Sequence, residues 1–194
     1  AFLCFLDADD ALPPDSLRDR AELLLANPGL HFADGDAAIM DSTLTRTLST
    51  RQAKYQGPAR PALMRLDPGC FFGNTWMIRR PANDTVRFRT DMVCSEDIAY
   101  YLSHAHDGIY GHTSTTALHY RTGHGSTTSR RMAVLKSYYR LLDHVRELRP
   151  PPSTEELSGM RARVRRMMVR GFLRCGSPLQ ALRAWFKLRG PTPT

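Results

Sequence analysis

The first 17 residues, Ala1–Leu17, read AFLCFLDADDALPPDSL. Phe2, Leu3, Cys4, Phe5 and Leu6 form a short apolar run with no polar residue at helical spacing. Such a run predicts a strand buried on both faces, as in a parallel sheet. Asp7, Asp9 and Asp10 follow at its carboxyl end. Carboxylates set so close raise one another's pKa unless a cation offsets them, and hard cations such as Mg2+ or Mn2+ take oxygen ligands. Open α/β sheets bind their ligands at the carboxyl ends of strands, which is where this cluster falls. Each aspartate also has a structural use: Asp10 or Asp15 can cap the next helix, and Asp7 can form a turn.

The 194 residues, 42% of them hydrophobic, suit one domain with an appendage. Cys4, Cys70, Cys94 and Cys175 are far apart and form no CxxC pair, which predicts reduced, mostly buried thiols in a cytoplasmic protein. No apolar run reaches the length of a membrane span, and no signal peptide is visible. The sequence starts inside a strand without an initiator Met, which predicts a piece of a longer protein. Residues 130–194 hold 15 Lys and Arg against 4 Asp and Glu, net +11, whereas residues 1–129 hold 12 against 15, net −3. The basic excess therefore belongs to the tail. It reads as a solvated helix face, or as a contact with an anionic membrane surface or another acidic partner. The tail lacks regular aromatic interleaving and the front half is acidic, so no nucleic-acid partner is expected.

Along the chain, DSLRDRAELLLANPGL predicts a helix capped by Asp15 or Ser16, with Leu17, Ala21, Leu24 and Leu25 on its apolar face. LHFADGDAAIMDS predicts a strand, residues 42–60 an irregular excursion, and ARPALMRLD a short helix. PGCFFGNTWMIRR predicts a strand with a glycine turn inside it, and PANDTVRFRTDMVC a loop. SEDIAYYLSHAHDG predicts a helix capped by Ser95, and IYGHTSTTALHY a further strand. A Gly/Ser/Thr loop, RTGHGSTTS, leads into a mostly helical tail broken at RPPPSTEE and RCGSP. Domain boundaries follow: residues 1–129 as an α/β domain and 130–194 as a basic helical extension.

Two further places carry chemistry. Glu96 and Asp97 open the predicted helix at SEDIAYYL, where the dipole favours anions and where a carboxylate can act as a general base. In YRTGHGSTT, Arg121 is a fixed charge suited to phosphate and His124 can meet a phosphate or a metal. Gly123 and Gly125 let the backbone approach a ligand, and Ser126 adds a hydroxyl. The same stretches also suit an acidic first turn and an ordinary polar loop.

The order of these pieces resembles the family 2 glycosyltransferases, which have the GT-A fold. FLDADDALPPDSL looks like that family's metal-binding segment, SEDIAYYLSHAHDGI like its catalytic-base helix, and YRTGHGSTT like the Arg, His and Ser loop after its last sheet strand. The resemblance covers roughly residues 1–130. It implies a partial GT-A fold, a Rossmann-like mixed sheet flanked by helices, followed by the helical extension. It also implies inverting, metal-dependent transfer of a sugar from a nucleotide-diphosphate donor to a saccharide, lipid-linked or protein acceptor. Under that resemblance Asp7 lies near the ribose, and Asp9 binds an Mg2+ or Mn2+ that bridges the diphosphate. Asp97 takes the acceptor's proton and Glu96 orients the base or contacts the acceptor. Arg121, His124 and Ser126 close over the diphosphate, with His124 as a further metal ligand. Gly73, Asn74 and Thr75 match the strand bordering donor sugar and acceptor.

Two departures matter. The nucleotide-binding stretch resembling VSVIIPxYN is not in these 194 residues, so the chain on its own is expected to turn over little or no donor. No QxxRW motif follows the base helix, which predicts a non-processive enzyme. One alternative is a glycosyltransferase-like module that binds without catalysis, although a site without function has no need of clustered acids. The other is a haloacid-dehalogenase-like phosphatase, whose DxD nucleophile motif and late acidic motif DADD and GDAAIMD imitate. Only residues 11–34 separate Asp10 from Gly35, and Lys54, Lys136 and Lys187 all follow GDAAIMD, so the intervening Ser/Thr and Lys motifs have no place.

Overall fold

The computed structural model describes residues 1–70, 73–123 and 131–189. The chain is a mixed α/β protein, with a six-stranded mixed open sheet and, among the described residues, six helices. It divides into two compact units: residues 1–63, 67–86 and 104–125, and residues 64–66, 87–103 and 126–194.

The first unit holds the whole sheet. Its strands are β1 (Phe2–Cys4), β2 (Leu30–Met40), β3 (Thr47–Arg51), β4 (Gly57–Pro58), β5 (Met77–Arg79) and β6 (Ile109–Arg121). They run in the order β1-β5-β2-β6-β4, and β3 pairs with the end of β2. β5 is antiparallel to both β1 and β2, while β2 and β6 are parallel, so β1, β2 and β6 all point the same way. β2 is the spine because it pairs with β3, β5 and β6 and most of it is buried.

Three expectations change here. The opening apolar run forms only a three-residue strand, half-buried and antiparallel to its neighbour, and Leu6 is exposed. Its aromatic and aliphatic bulk packs from the side onto a cluster of Leu24, Leu30, Ala33 and Met77, which needs one face of β1 and not two. Residues 42–60 carry the short strands β3 and β4 where an irregular excursion was expected. Gly73–Thr75 form a 3-10 turn ahead of β5, so the expected strand through GNT is confined to Met77–Arg79.

Helix α1 (Ser16–Ala26) packs on β2 and β6. Its buried face is Ser16, Arg20 and Leu24, whereas Leu17 and Leu25 are exposed. The apolar face expected from Leu17, Ala21, Leu24 and Leu25 is therefore rotated, because Arg20 finds partners inside. Its Nε donates to Ser16 O at 3.0 Å, Nη1 to Thr75 O at 2.6 Å and Nη2 to Ser16 Oγ at 2.8 Å. Ser16 Oγ in turn donates to Ala117 O at 2.6 Å. Neither expected cap forms through its side chain. Asp15 sits in the left-handed region with φ 67°, and its carboxylate pairs with Arg18 at 2.8 Å instead.

A register break in the β2–β6 ladder explains one glycine. Asp34 pairs with His112 and Asp36 with Thr116, so Thr113–Thr115 bulge opposite Gly35. A Cβ at Gly35 would stand 2.7 Å from Thr115 O and 2.9 Å from Ala117 Cβ. Only glycine leaves room for that bulge.

The second unit contains α3 (Glu96–His104) up to Ser103, together with α4 (Arg131–Glu147), α5 (Thr154–Arg174) and α6 (Pro178–Lys187). Met160, Val164, Met168 and Phe172 recur every four residues and form the buried stripe of α5. Ser153 and Glu156 close a reciprocal capping box at its start. Among the described residues no helix is long and apolar enough to cross a membrane. All four cysteines are free, but only Cys70 is fully buried and Cys175 is exposed, so "mostly buried" does not describe them.

Candidate functional site

The loop that follows β1 turns back on itself, with Asp10 N–H donating to Asp7 O at 3.1 Å. One carboxylate oxygen from each of Asp7, Asp9 and Asp10 lies within 4.8 Å of the others. Asp7 is exposed, and Asp9 and Asp10 are half-buried. The loop then joins the end of β6. Ala11 and His119 exchange backbone hydrogen bonds at 3.1 and 2.8 Å, and Arg121 N–H donates to Asp10 Oδ1 at 2.9 Å. Asp10 thus has a defined structural task, tying the loop after β1 to the end of β6.

Arg121 ends β6 and meets this loop through its backbone N–H. Its Nε is buried and, among the described residues, has no hydrogen-bond partner. Tyr120 borders the same place. Burial pushes its phenol up, and the charges of Asp10, Asp9 and Asp7 push it further. At the carboxyl end of the sheet the structure therefore brings together three carboxylates and a phenol, tied to β6 through the backbone N–H of Arg121. Clusters of exposed acids occur often without an ion, so the cluster by itself assigns no metal. The residue types present suit a hard cation, which takes carboxylate oxygens as ligands.

Glu96 and Asp97 belong to the second unit, at the start of α3. Asp97 Oδ1 accepts from the N–H of Ile98 at 2.7 Å, which fixes the carboxylate at the helix N-terminus. Glu96 Oε2 is buried without a hydrogen-bond partner among the described residues. Ser95 opens the helix through its backbone carbonyl, which accepts from Ala99 N–H at 3.1 Å. Its hydroxyl turns to Cys94 Sγ at 3.8 Å, and its φ is 64°, so the expected side-chain cap gives way to a backbone one. Burial raises the Cys94 thiol and the Tyr138 phenol beside this turn.

His124 and Ser126 lie outside the described residues. Of the other expected residues, Asp7, Asp9 and Arg121 share the first unit, and Glu96 and Asp97 the second.

One polar centre escaped sequence reasoning altogether. Asp34, on β2, is 2% exposed. Its Oδ1 accepts from Gly35 N–H at 2.7 Å and its Oδ2 from Tyr110 Oη at 2.5 Å. Burial raises its pKa from 3.8 to about 6, against the opposing effects of these bonds and of Arg20. Tyr110 packs on Trp76 at 4.8 Å between ring centres, and Trp76 packs on Phe32 at 5.0 Å. The hint was FADGD, two acids at alternate positions of an otherwise apolar strand, where period-two patterning puts both on the inner face or both on the outer. The bulge at Gly35 breaks that pattern: Asp36 accepts from Ala53 N–H at 3.0 Å in the adjoining loop, while Asp34 is sealed inside.

No family model matches the chain, and no curated protein matches it.

Proposed function

We propose that this chain carries the donor-metal and base residues of an inverting, metal-dependent glycosyltransferase that uses a nucleotide-diphosphate sugar. The carrying observation is the cluster of Asp7, Asp9 and Asp10 on the loop after β1, which the hydrogen bond from the Arg121 backbone N–H to Asp10 ties to the carboxyl end of β6. The mixed sheet supports a partial GT-A reading, with an antiparallel β5 between β1 and β2.

In this reading Asp9 and His124 hold Mg2+ or Mn2+, with Asp7 beside the ribose. A cation held there would supply positive charge to offset the negative charge on the departing diphosphate. Arg121 supplies a second positive charge to the same group, and its Nε, which has no hydrogen-bond partner among the described residues, offers a donor. Ser126 adds a hydroxyl from the loop after β6. Asp97 accepts the acceptor's proton as the hydroxyl attacks the anomeric carbon. The bond it takes from Ile98 N–H orients its carboxylate. Glu96 orients that base or contacts the acceptor. The acceptor is a saccharide, a lipid-linked saccharide or a protein hydroxyl.

Binding and turnover test separate parts of the reading. Mn2+ binding in the presence of a nucleoside diphosphate, followed by the loss of the free-ion electron spin resonance signal, is expected to weaken at least tenfold in Asp9→Asn. In a protein that also carries the nucleotide-binding half, donor consumption across a nucleotide-sugar panel is expected to require the metal and to vanish in Asp97→Asn while metal binding persists. Equal Mn2+ binding by the wild type and Asp9→Asn sinks the metal assignment. Unchanged turnover in Asp97→Asn sinks the base.

A further inference from the structure

Helix α6 has two apolar faces. Ala181, Ala184 and Leu188 are buried against the second unit. Leu179, Leu182 and Phe186, spaced by three and four residues, lie on the opposite side of the helix and are 59%, 53% and 59% exposed. A helix that only packs on a domain shows polar residues on that outer side. On α5, Leu173 is also exposed beside Arg166, Arg170 and Arg174.

Along α5 and α6 the charge beyond Leu157 has one sign. Between Leu157 and Arg189 the sequence has nine Arg and Lys and no Asp or Glu. Lys187 and Phe186 also line a cleft of about 510 Å³ with Arg146, Arg161, Asp143 and Tyr139. In that cleft three cations stand against one carboxylate, and Arg146 pairs with it. Tyr139 Oη is buried without a hydrogen-bond partner among the described residues and offers a donor.

We infer that the α5–α6 hairpin docks on an anionic lipid bilayer. Leu179, Leu182 and Phe186 enter the headgroup–acyl boundary, the arginines of α5 meet the surface charge, and the Arg146–Arg161–Lys187 cleft receives a lipid phosphate. An exposed apolar stripe flanked by bases, with no acid, matches that surface in both polarity and charge. The inference stands independently of the sugar-transfer reading, since it uses none of its residues.

Trp185 makes the test site-specific. The chain has two tryptophans; Trp76 is fully buried, whereas Trp185 is 41% exposed on α6, with Arg165 4.5 Å above its ring. Whole-chain protein is mixed with vesicles of phosphatidylcholine containing about a third phosphatidylglycerol, and with pure phosphatidylcholine. Co-sedimentation with the anionic vesicles and a blue shift of the Trp185 emission are expected, with binding falling as salt rises. Leu179→Ser/Leu182→Ser changes exposed side chains only and is expected to weaken binding about tenfold or more. Arg146→Gln/Lys187→Gln is expected to reduce the preference for anionic over neutral vesicles. No sedimentation at low salt overturns the inference. So does sedimentation that the Leu179→Ser/Leu182→Ser pair leaves unchanged, which marks a purely electrostatic contact. Self-association abolished by that pair, without vesicle binding, assigns the face to a second copy of the chain and also overturns it.

Discussion

Replacing Tyr110 by Phe deletes one hydroxyl from a fully buried ring and keeps its packing on Trp76 at 4.8 Å and Tyr55 at 6.0 Å. The group left behind is Asp34 Oδ2, whose pKa is already raised to about 6 by burial. The sign of the linkage is set by that direction. A folded pKa of about 6 above the ordinary 3.8 contributes stability in full below 3.8 and loses it as pH rises through 6. At 1.36 kcal/mol per unit the span is about 3 kcal/mol. Without the Tyr110 donor the charged form is destabilised further, so the variant's Asp34 titrates higher still. At about pH 4.5 Asp34 is protonated in both folded proteins and the substitution costs about 1 kcal/mol, the value of a neutral hydrogen bond. At about pH 8 the wild type holds a charge-assisted bond and the cost is about 2–3 kcal/mol. Urea unfolding followed by fluorescence of Trp76, which touches the Tyr110 ring, gives both values. Taking the difference between the two proteins cancels the histidines, which slope the other way. A cost that stays flat between the two pH values would refute a titrating Asp34 at this centre.

Three other outcomes follow from single contacts. Gly35→Ala places a methyl group 2.7 Å from Thr115 O and is expected to cost about 1–3 kcal/mol in urea unfolding, with Gly29→Ala, which has open space, as its control. Ser153→Ala removes the α5 capping box and is expected to cost about 1 kcal/mol, read by far-ultraviolet circular dichroism during unfolding. His144 is held below the ordinary histidine range by burial, and its Nε2 lies 3.0 Å from Ser103 Oγ. Its contribution is present above pH 6.5 and is lost as pH falls below that value, so His144→Gln is expected to flatten the acid limb of the stability profile.

The parts of the fold that were legible in the sequence are those where one local signal decides. α3 follows from apolar spacing, β2 from an apolar run with polar interruptions and β6 from its Thr and Tyr content, and the breaks between α4, α5 and α6 follow from Pro and Gly. The DADD cluster was legible because its members are contiguous. Its link to Arg121 was not, because that needs the loop after β1 to reach the far edge of β6, a matter of topology. The burial of α1 was misread for a different reason. Spacing arguments class arginine as outward-facing, yet three carbonyl and hydroxyl acceptors from two elements make the inside the cheaper place for Arg20. The depth of Asp34 depended on a bulge, and a bulge shifts the register on which period-two reading relies.

The Arg20 clamp has a further consequence for the acidic loop. Leucine contacts tolerate a few degrees of roll about a helix axis, because dispersion is not directional. A guanidinium fork tied to Thr75 O and to Ser16, which is itself tied to Ala117 O, admits essentially one rotation. Helix α1 is therefore indexed against β6 like a gear tooth, and the residue where the acidic loop ends is delivered to a fixed place. With Ala11 bridged to His119, the loop carrying Asp7, Asp9 and Asp10 has little slack left to lose. Any ligand of those carboxylates meets an arrangement whose ordering cost was met when the chain folded. Substituting Arg20 by an isosteric apolar residue such as Met would then act at a distance, loosening the loop while leaving every carboxylate in the sequence.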